Sequence, residues 1–231
     1  MSFTMASAST RQHYLHLMGI DVWQDRELSQ IVDTDDAAGD LTHEDEPEIW
    51  QTLRKQVASC TQCGLHKGRQ QTVFGVGDKN AEWMVIGEAP GAEEDRQGEP
   101  FVGRAGKLLN AMLQAIGLLR SQVYIANILK CRPPKNRDPQ AEEVAYCEDY
   151  LKKQIELIQP KIILCVGRIA AQNLLKVDTP MDQMRGQFYE YPGSNTPVVV
   201  TYHPAYLLRS PQDKRKAWQD LQLAMRIYQK S

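Results

Sequence analysis

The sequence predicts an α/β protein built on a mostly parallel sheet with helices on both faces. Three observations carry this. Four short apolar runs of strand length recur at residues 83–86, 123–128, 162–166 and 198–201. Between them lie stretches whose apolar residues fall at helical spacing. Gly- or Pro-rich motifs follow three of the runs closely, as expected where strands end in loops.

The elements follow in order. Trp50, Leu53 and Val57 fall at i, i+3 and i+7 and start a helix that delivers Cys60. Trp83-Met84-Val85-Ile86 is a short buried strand ending in the turn Gly87-Glu88-Ala89-Pro90-Gly91. Residues 104–116 carry Leu108, Leu109, Met112 and Ile116 at helical spacing, with Gly117 as the stop. Val123 to Ile128 is a second strand. Asp138-Pro139 opens a helix running towards Gln159, because Asp caps well and Pro is tolerated in a first turn. Ile162 to Val166 and Val198 to Thr201 are two further strands. Ser210-Pro211-Gln212-Asp213 starts a closing helix in the manner of a capping box. Active residues of such sheets gather just beyond the carboxyl ends of the strands. Glu88, Asn127 and His203 each sit at or next to such an end, which gives three candidates for one cleft.

Composition separates the chain into three parts. Residues 1–30 are an amino-terminal extension in which Tyr14, Leu15, Leu17, Met18 and Ile20, followed by Trp23, suit a short amphipathic helix. A lone helix of that length is marginal in water and needs something to dock on. Residues 31–48 read as an acidic linker, with eight acids, no Lys or Arg, and Pro47 near its close. Residues 49–231 form the main domain. They hold 18 acids against 25 bases, so a net charge of −2 for the whole chain conceals a body of +7 that can attract a polyanion. An apolar fraction of 42% and a charged fraction of 24% are ordinary for a soluble globular protein. No apolar run approaches the roughly 18 residues of a membrane span, and no secretory leader opens the chain, so a cytoplasmic address without membrane association is expected; a monomer is expected as well.

In a reducing compartment the five cysteines favour metal ligation or packing over disulfides. Cys60 and Cys63 form a C-x2-C pair; Cys131 follows after 67 residues and Cys147 after another 15. Thiolates at such spacing suit an iron–sulfur cluster or zinc, and buried thiols unrelated to metal are a third reading. A structural zinc module usually takes two close pairs, whereas here the second pair spans a loop and a helix. Cys165, in mid-strand, reads as plain core.

The motifs Gly87-Glu88-Ala89-Pro90-Gly91, Pro100-Phe101-Val102-Gly103-Arg104-Ala105-Gly106 and His203-Pro204-Ala205-Tyr206-Leu207-Leu208-Arg209, with Asn127 and the four cysteines, resemble the family 4 uracil-DNA glycosylases. The resemblance runs from about Trp50 to the carboxyl end. It implies a three-layer α/β/α sandwich around a central, mostly parallel four-stranded sheet. It also implies a DNA repair enzyme that flips uracil out of single- or double-stranded DNA and hydrolyses its N-glycosidic bond. A [4Fe-4S] cluster on Cys60, Cys63, Cys131 and Cys147 follows from the same resemblance, as an organiser of loops. A related branch that links covalently to DNA carries a His in an Arg-rich insert after the Asn-bearing strand. Residues 131–137 contain no His and no insert. Another branch lacks the Glu of the first motif, where this chain has Glu88.

The resemblance assigns the following roles. His203 donates a hydrogen bond to uracil O2 as charge grows on the leaving base. Asn127 reads the base, since one amide offers a donor and an acceptor to O4 and N3–H together. Phe101 stacks on the flipped base. Glu88 and Ala89 lie where the attacking water and backbone contacts to the base are placed. Glu94 excludes the thymine methyl. Leu207 is the wedge that fills the vacated stack. Arg209, Lys214, Arg215 and Lys216 are candidate phosphate contacts. Residues 10–25 are similar to the amino-terminal tail of the psi subunit of bacterial DNA polymerase III, which implies docking on the clamp loader. The rival readings are an inactive iron–sulfur DNA-binding accessory protein and an electron carrier. Intact Glu88, Asn127, Phe101 and His203 argue against the first, and the absence of any second cofactor signature against the other.

Overall fold

A computed structural model describes residues 47–230, which fall within one compact unit, Glu46–Ser231. The expected helix near Tyr14, its docking role and nearly all of the acidic linker lie outside the described residues.

Six strands make one sheet in the order β1-β3-β2-β4-β6-β5. The four strands expected from sequence are its centre: β2 (Trp83–Gly87), β3 (Val123–Asn127), β4 (Ile162–Val166) and β6 (Pro197–Thr201), all parallel to their neighbours. Two short antiparallel edges extend the expected four: β1 (Val76–Gly77) against β3, and β5 (Phe188–Glu190) against β6.

Side chains alternate across the sheet with period 2. Met84, Ile86, Tyr124, Ala126, Ile163, Cys165, Val198 and Val200 face one core. It is closed by α1 (Glu48–Ser59), α4 (Ala141–Ile158) and α5 (Arg168–Leu175). Trp83, Val85, Val123, Ile125, Ile162, Leu164, Val166 and Val199 face the other. That side is covered by α3 (Arg104–Ala115), α7 (Pro204–Arg209) and α8 (Lys214–Tyr228). Both faces of every central strand are buried, which is why these runs read as continuous apolar segments. Two short helices, α2 (Ala92–Gln97) and α6 (Met181–Met184), complete the described elements.

Helix boundaries shift in three places. The helix after β3 starts at Ala141, not at Asp138-Pro139, because Gln140 and Glu143 form the capping box. Ser210 makes no side-chain cap; a 3-10 turn, Pro211–Asp213, intervenes before α8. Helix α1 begins at Glu48, one residue inside the expected linker, and presents Trp50, Leu53 and Val57 to the core before ending at Cys60.

Candidate active site

The chain steps from β2 to β3 on one side of β2 and then to β4 on the other, so a switch point opens at the carboxyl ends of β2 and β4. A cleft of about 390 Å³ lies at this end of the sheet, within the range of small-ligand sites. Glu88, Ala89, Glu94, Phe101, Asn127, His203 and Arg209 all line it.

Gly87 and Asn127 are register partners at the last step of β2 and β3. A Cβ on Gly87 would lie 2.4 Å from Asn127 Oδ1 and 2.6 Å from Phe101 Cζ, so the bare glycine lets amide and ring close over the strand end. Asn127 is 2% exposed, and its Oδ1 is buried without a hydrogen-bond partner in the protein. A buried carbonyl oxygen left unpaired costs free energy, so its position in a cleft wall marks it for a ligand.

His203 caps α7, and its Nδ1 accepts from the Ala205 N–H at 3.1 Å. An amide N–H can only donate, so the ring proton of the neutral form sits on Nε2. Burial, reinforced by the Arg209 charge and opposed by Glu94, pushes the pKa of His203 down to about 4. At neutral pH the ring is therefore a neutral donor. The Phe101 ring lies beside it, 5.5 Å between centroids.

Glu88 follows directly on β2. Burial, with the nearby charge of Asp138, pushes its pKa up to about 7, and Arg168 opposes the shift. Glu94 has a structural duty in this geometry: Oε2 accepts from Gly91 N at 3.1 Å, and Oε1 from Val102 N at 3.2 Å and Gly103 N at 3.4 Å. One carboxylate thus ties the first motif to the loop bearing Phe101.

Leu207 is buried in this structure, although the resemblance gives it a surface role. It is 1% exposed and packs in the core with Pro204 one turn earlier, because residues three apart share a helix face. A wedge needs this side chain at the surface, where the DNA-free structure does not place it. Arg209 is exposed at the cleft, while Lys214 and Arg215 are exposed at the start of α8, outside it. Lys216 pairs with Asp213 at 2.9 Å. The sequence reading passed over Pro133, Asn136 and Arg137, which also line the cleft. Arg137 is pinned by two bonds to Glu143, at 2.9 and 2.6 Å, and Lys135 and Asn136 both adopt left-handed backbone. A run of polar residues after a strand was the available signal.

All five cysteines are free thiols. Cys60, Cys63, Cys131 and Cys147 line a single small cavity between α1 and α4, together with Arg69 and the buried Lys130. Arg69 donates to Cys131 Sγ at 3.2 Å. Burial pushes the Cys131 thiol up, and that of Cys147 to about 11, so ligation is what would deprotonate them at neutral pH. One zinc ion at about 2.3 Å from each sulfur would draw four thiolates to within roughly 3.8 Å of one another. Among the described residues no three His, Cys, Asp or Glu side chains converge around a single ion. The donors instead stand around the walls of a shared space, beside the Arg69 guanidinium and the Lys130 amine, whose pKa burial pushes down to about 7. Cys165 is core, as expected.

An unpartnered amide oxygen, a neutral imidazole donor and an aromatic ring in one cleft of a parallel sheet are what a protein needs to hold a flat, hydrogen-bonding ring. A sequence model of the uracil DNA glycosylase superfamily matches residues 74–222. The chain is 51% identical over 164 residues to the type-4 uracil-DNA glycosylase of Archaeoglobus fulgidus, covering 68% of this chain and 82% of that one. It is 38% identical over 186 residues to the type-4 enzyme of Thermotoga maritima, covering 79% and 96%. Identity to the type-5 uracil-DNA glycosylase of Pyrobaculum aerophilum is 34% over 148 residues, covering 57% and 64%. The chain belongs to the type-4 uracil-DNA glycosylase family of that superfamily.

Proposed function

We propose that the chain excises uracil from DNA by hydrolysing the N-glycosidic bond of a flipped nucleotide. The observation that carries this reading is the buried, unpartnered Oδ1 of Asn127 in the cleft. A carboxamide presents an acceptor and a donor side by side, the complement of uracil N3–H and O4; cytosine, with N3 an acceptor and N4–H2 a donor, reverses both and is rejected. The base enters over Gly87 and stacks on Phe101, at the cleft floor the two share with Asn127. As the glycosidic bond lengthens, negative charge grows on the base, and the Nε2–H of neutral His203 donates to uracil O2. A neutral donor holds its proton through the reaction and strengthens its bond as the charge develops. Glu88, ionised above about pH 7, orients the water that adds to the sugar.

Cys60, Cys63, Cys131 and Cys147 would hold a [4Fe-4S] cluster, supported by four thiols around one cavity with Arg69 and Lys130 alongside. When bound it supplies a covalent staple between the turn after α1, the loop after β3 and helix α4.

Release of free uracil from a single-stranded oligonucleotide with one uracil tests the excision reading. Asn127→Asp replaces the amide donor with an acceptor, so activity should vanish or selectivity against cytosine weaken. Undiminished excision with unchanged selectivity removes Asn127 as the reader.

A further inference from the structure

Phe101 has φ of +55°, in the left-handed region that a bulky aromatic rarely occupies. Such a conformation persists only where the surroundings over-determine it. Its ring is buried against Gly87 and lies beside His203, so the unusual backbone is what aims the ring at the cleft.

Two groups grip this turn from opposite sides. Glu94 takes the amide side, accepting from Val102 and Gly103. Arg120 takes the carbonyl side, donating to Pro100 O at 2.6 Å and Phe101 O at 3.4 Å. Arg120 sits on the 3-10 turn Arg120–Gln122 just ahead of β3 and does not line the cleft. Its guanidinium also donates to Asn110 Oδ1 at 3.3 Å, on α3. Gly106 of α3 completes the seat, since a Cβ there would strike Phe101 O at 1.7 Å.

We infer that Arg120 is a positioning residue for base recognition: its fork of donors holds the Pro100–Phe101 carbonyls so that Phe101 stays left-handed with its ring in the cleft. The inference rests on the excision reading above. Two carbonyls of one strained turn need a planar, multi-donor group, which Arg supplies and Lys only in part. Without it the turn relaxes towards negative φ and the ring leaves the base site.

The test is a double-mutant cycle on the full-length protein, using Phe101→Ala, Arg120→Met, the double variant and Arg120→Lys. Inhibition by free uracil is the main readout, because it reports the base site and not the DNA backbone. Oligonucleotide affinity and melting temperature are measured alongside. Arg120→Met should weaken uracil inhibition roughly 10-fold, the scale of a lost base–aromatic stack, with oligonucleotide affinity little changed. Arg120→Lys should fall between it and wild type. On the Phe101→Ala background, Arg120→Met should add almost nothing, since both changes remove the same stack. Two results overturn the inference: wild-type uracil inhibition in folded Arg120→Met, or losses that multiply in the double variant. If Arg120→Met fails to fold, Arg120→Lys carries the same comparison, and wild-type inhibition there overturns it equally. A wild-type protein that releases no uracil would defeat the excision reading itself, whereas release with an indifferent Arg120 defeats only this step.

Discussion

Glu88 and His203 face one cleft, and burial moves their pKa values in opposite directions, Glu88 up to about 7 and His203 down to about 4. Desolvation disfavours the charged form of each, so the acid keeps its proton longer and the base gives its up sooner. Between pH 5 and 9 His203 stays neutral, and only Glu88 of the pair titrates. If the Glu88 carboxylate orients water, single-turnover excision at saturating DNA rises as pH increases through about 7 and levels off above it, with no limb from His203. The sign follows from the raised pKa: below it the acid form predominates and water loses its acceptor. Glu88→Gln should be slow and flat across that window. A Glu88→Gln protein that keeps the rise assigns the limb elsewhere and removes Glu88 from the water site. The linked effect on folding also has a defined sign. The folded protein binds this proton more tightly than the unfolded chain, so stability falls as pH rises from the ordinary 4.5 towards 7.

At the scale of elements, legibility followed burial. The four central strands are buried on both faces and announce themselves as apolar runs. β1 has two residues, and β5 is exposed at Phe188 and Glu190, so neither leaves an apolar signature. Leu207 shows a different limit. A motif gives residue types in order, but helical phase decides which face each occupies, and the i, i+3 relation with Pro204 turns Leu207 inward. Arg120 was silent because the partners that matter to the turn are backbone carbonyls some 20 residues away, and carbonyls have no residue type. The cysteines were legible in type and only partly in purpose. Cys147 projects from α4 into a cavity whose other thiols come from the turn after α1 and the loop after β3. Cys147→Ala should therefore lower iron content and melting temperature more than it lowers the single-turnover rate of the protein that remains folded. Metal analysis of the wild type decides the premise: stoichiometric zinc with no iron would end the cluster reading.

For the molecule as a whole, charge is distributed against its sum. Eight acids in residues 31–48 mask the excess of bases in residues 49–231. Around the sheet end that bears the cleft, bound pairs and uncommitted cations differ in use. Arg137 is tied to Glu143 and Lys216 to Asp213, which leaves less of their charge for a phosphate. Lys214 is exposed at the start of α8, five residues beyond Arg209 at the cleft, on the chain that leaves the His203 helix. Lys214 does not line the cleft, so its candidate role is contact with a phosphate and not with the base. Counterion release predicts its signature: each phosphate neutralised adds roughly 0.9 to the slope of log affinity against log salt for duplex DNA and about 0.7 for a single strand. Lys214→Ala should weaken oligonucleotide binding at low salt and reduce that slope by about one contact's worth. Its single-turnover rate at saturation should match wild type. His203→Ala should do the reverse, binding normally while excising roughly 10²–10³ more slowly. Affinity across a salt series and single-turnover rates for the two variants, measured side by side, separate the roles. A Lys214→Ala protein with an unchanged slope places the phosphate contacts elsewhere on the basic body, and a His203→Ala protein that excises at the wild-type rate removes the donor on which the chemistry depends.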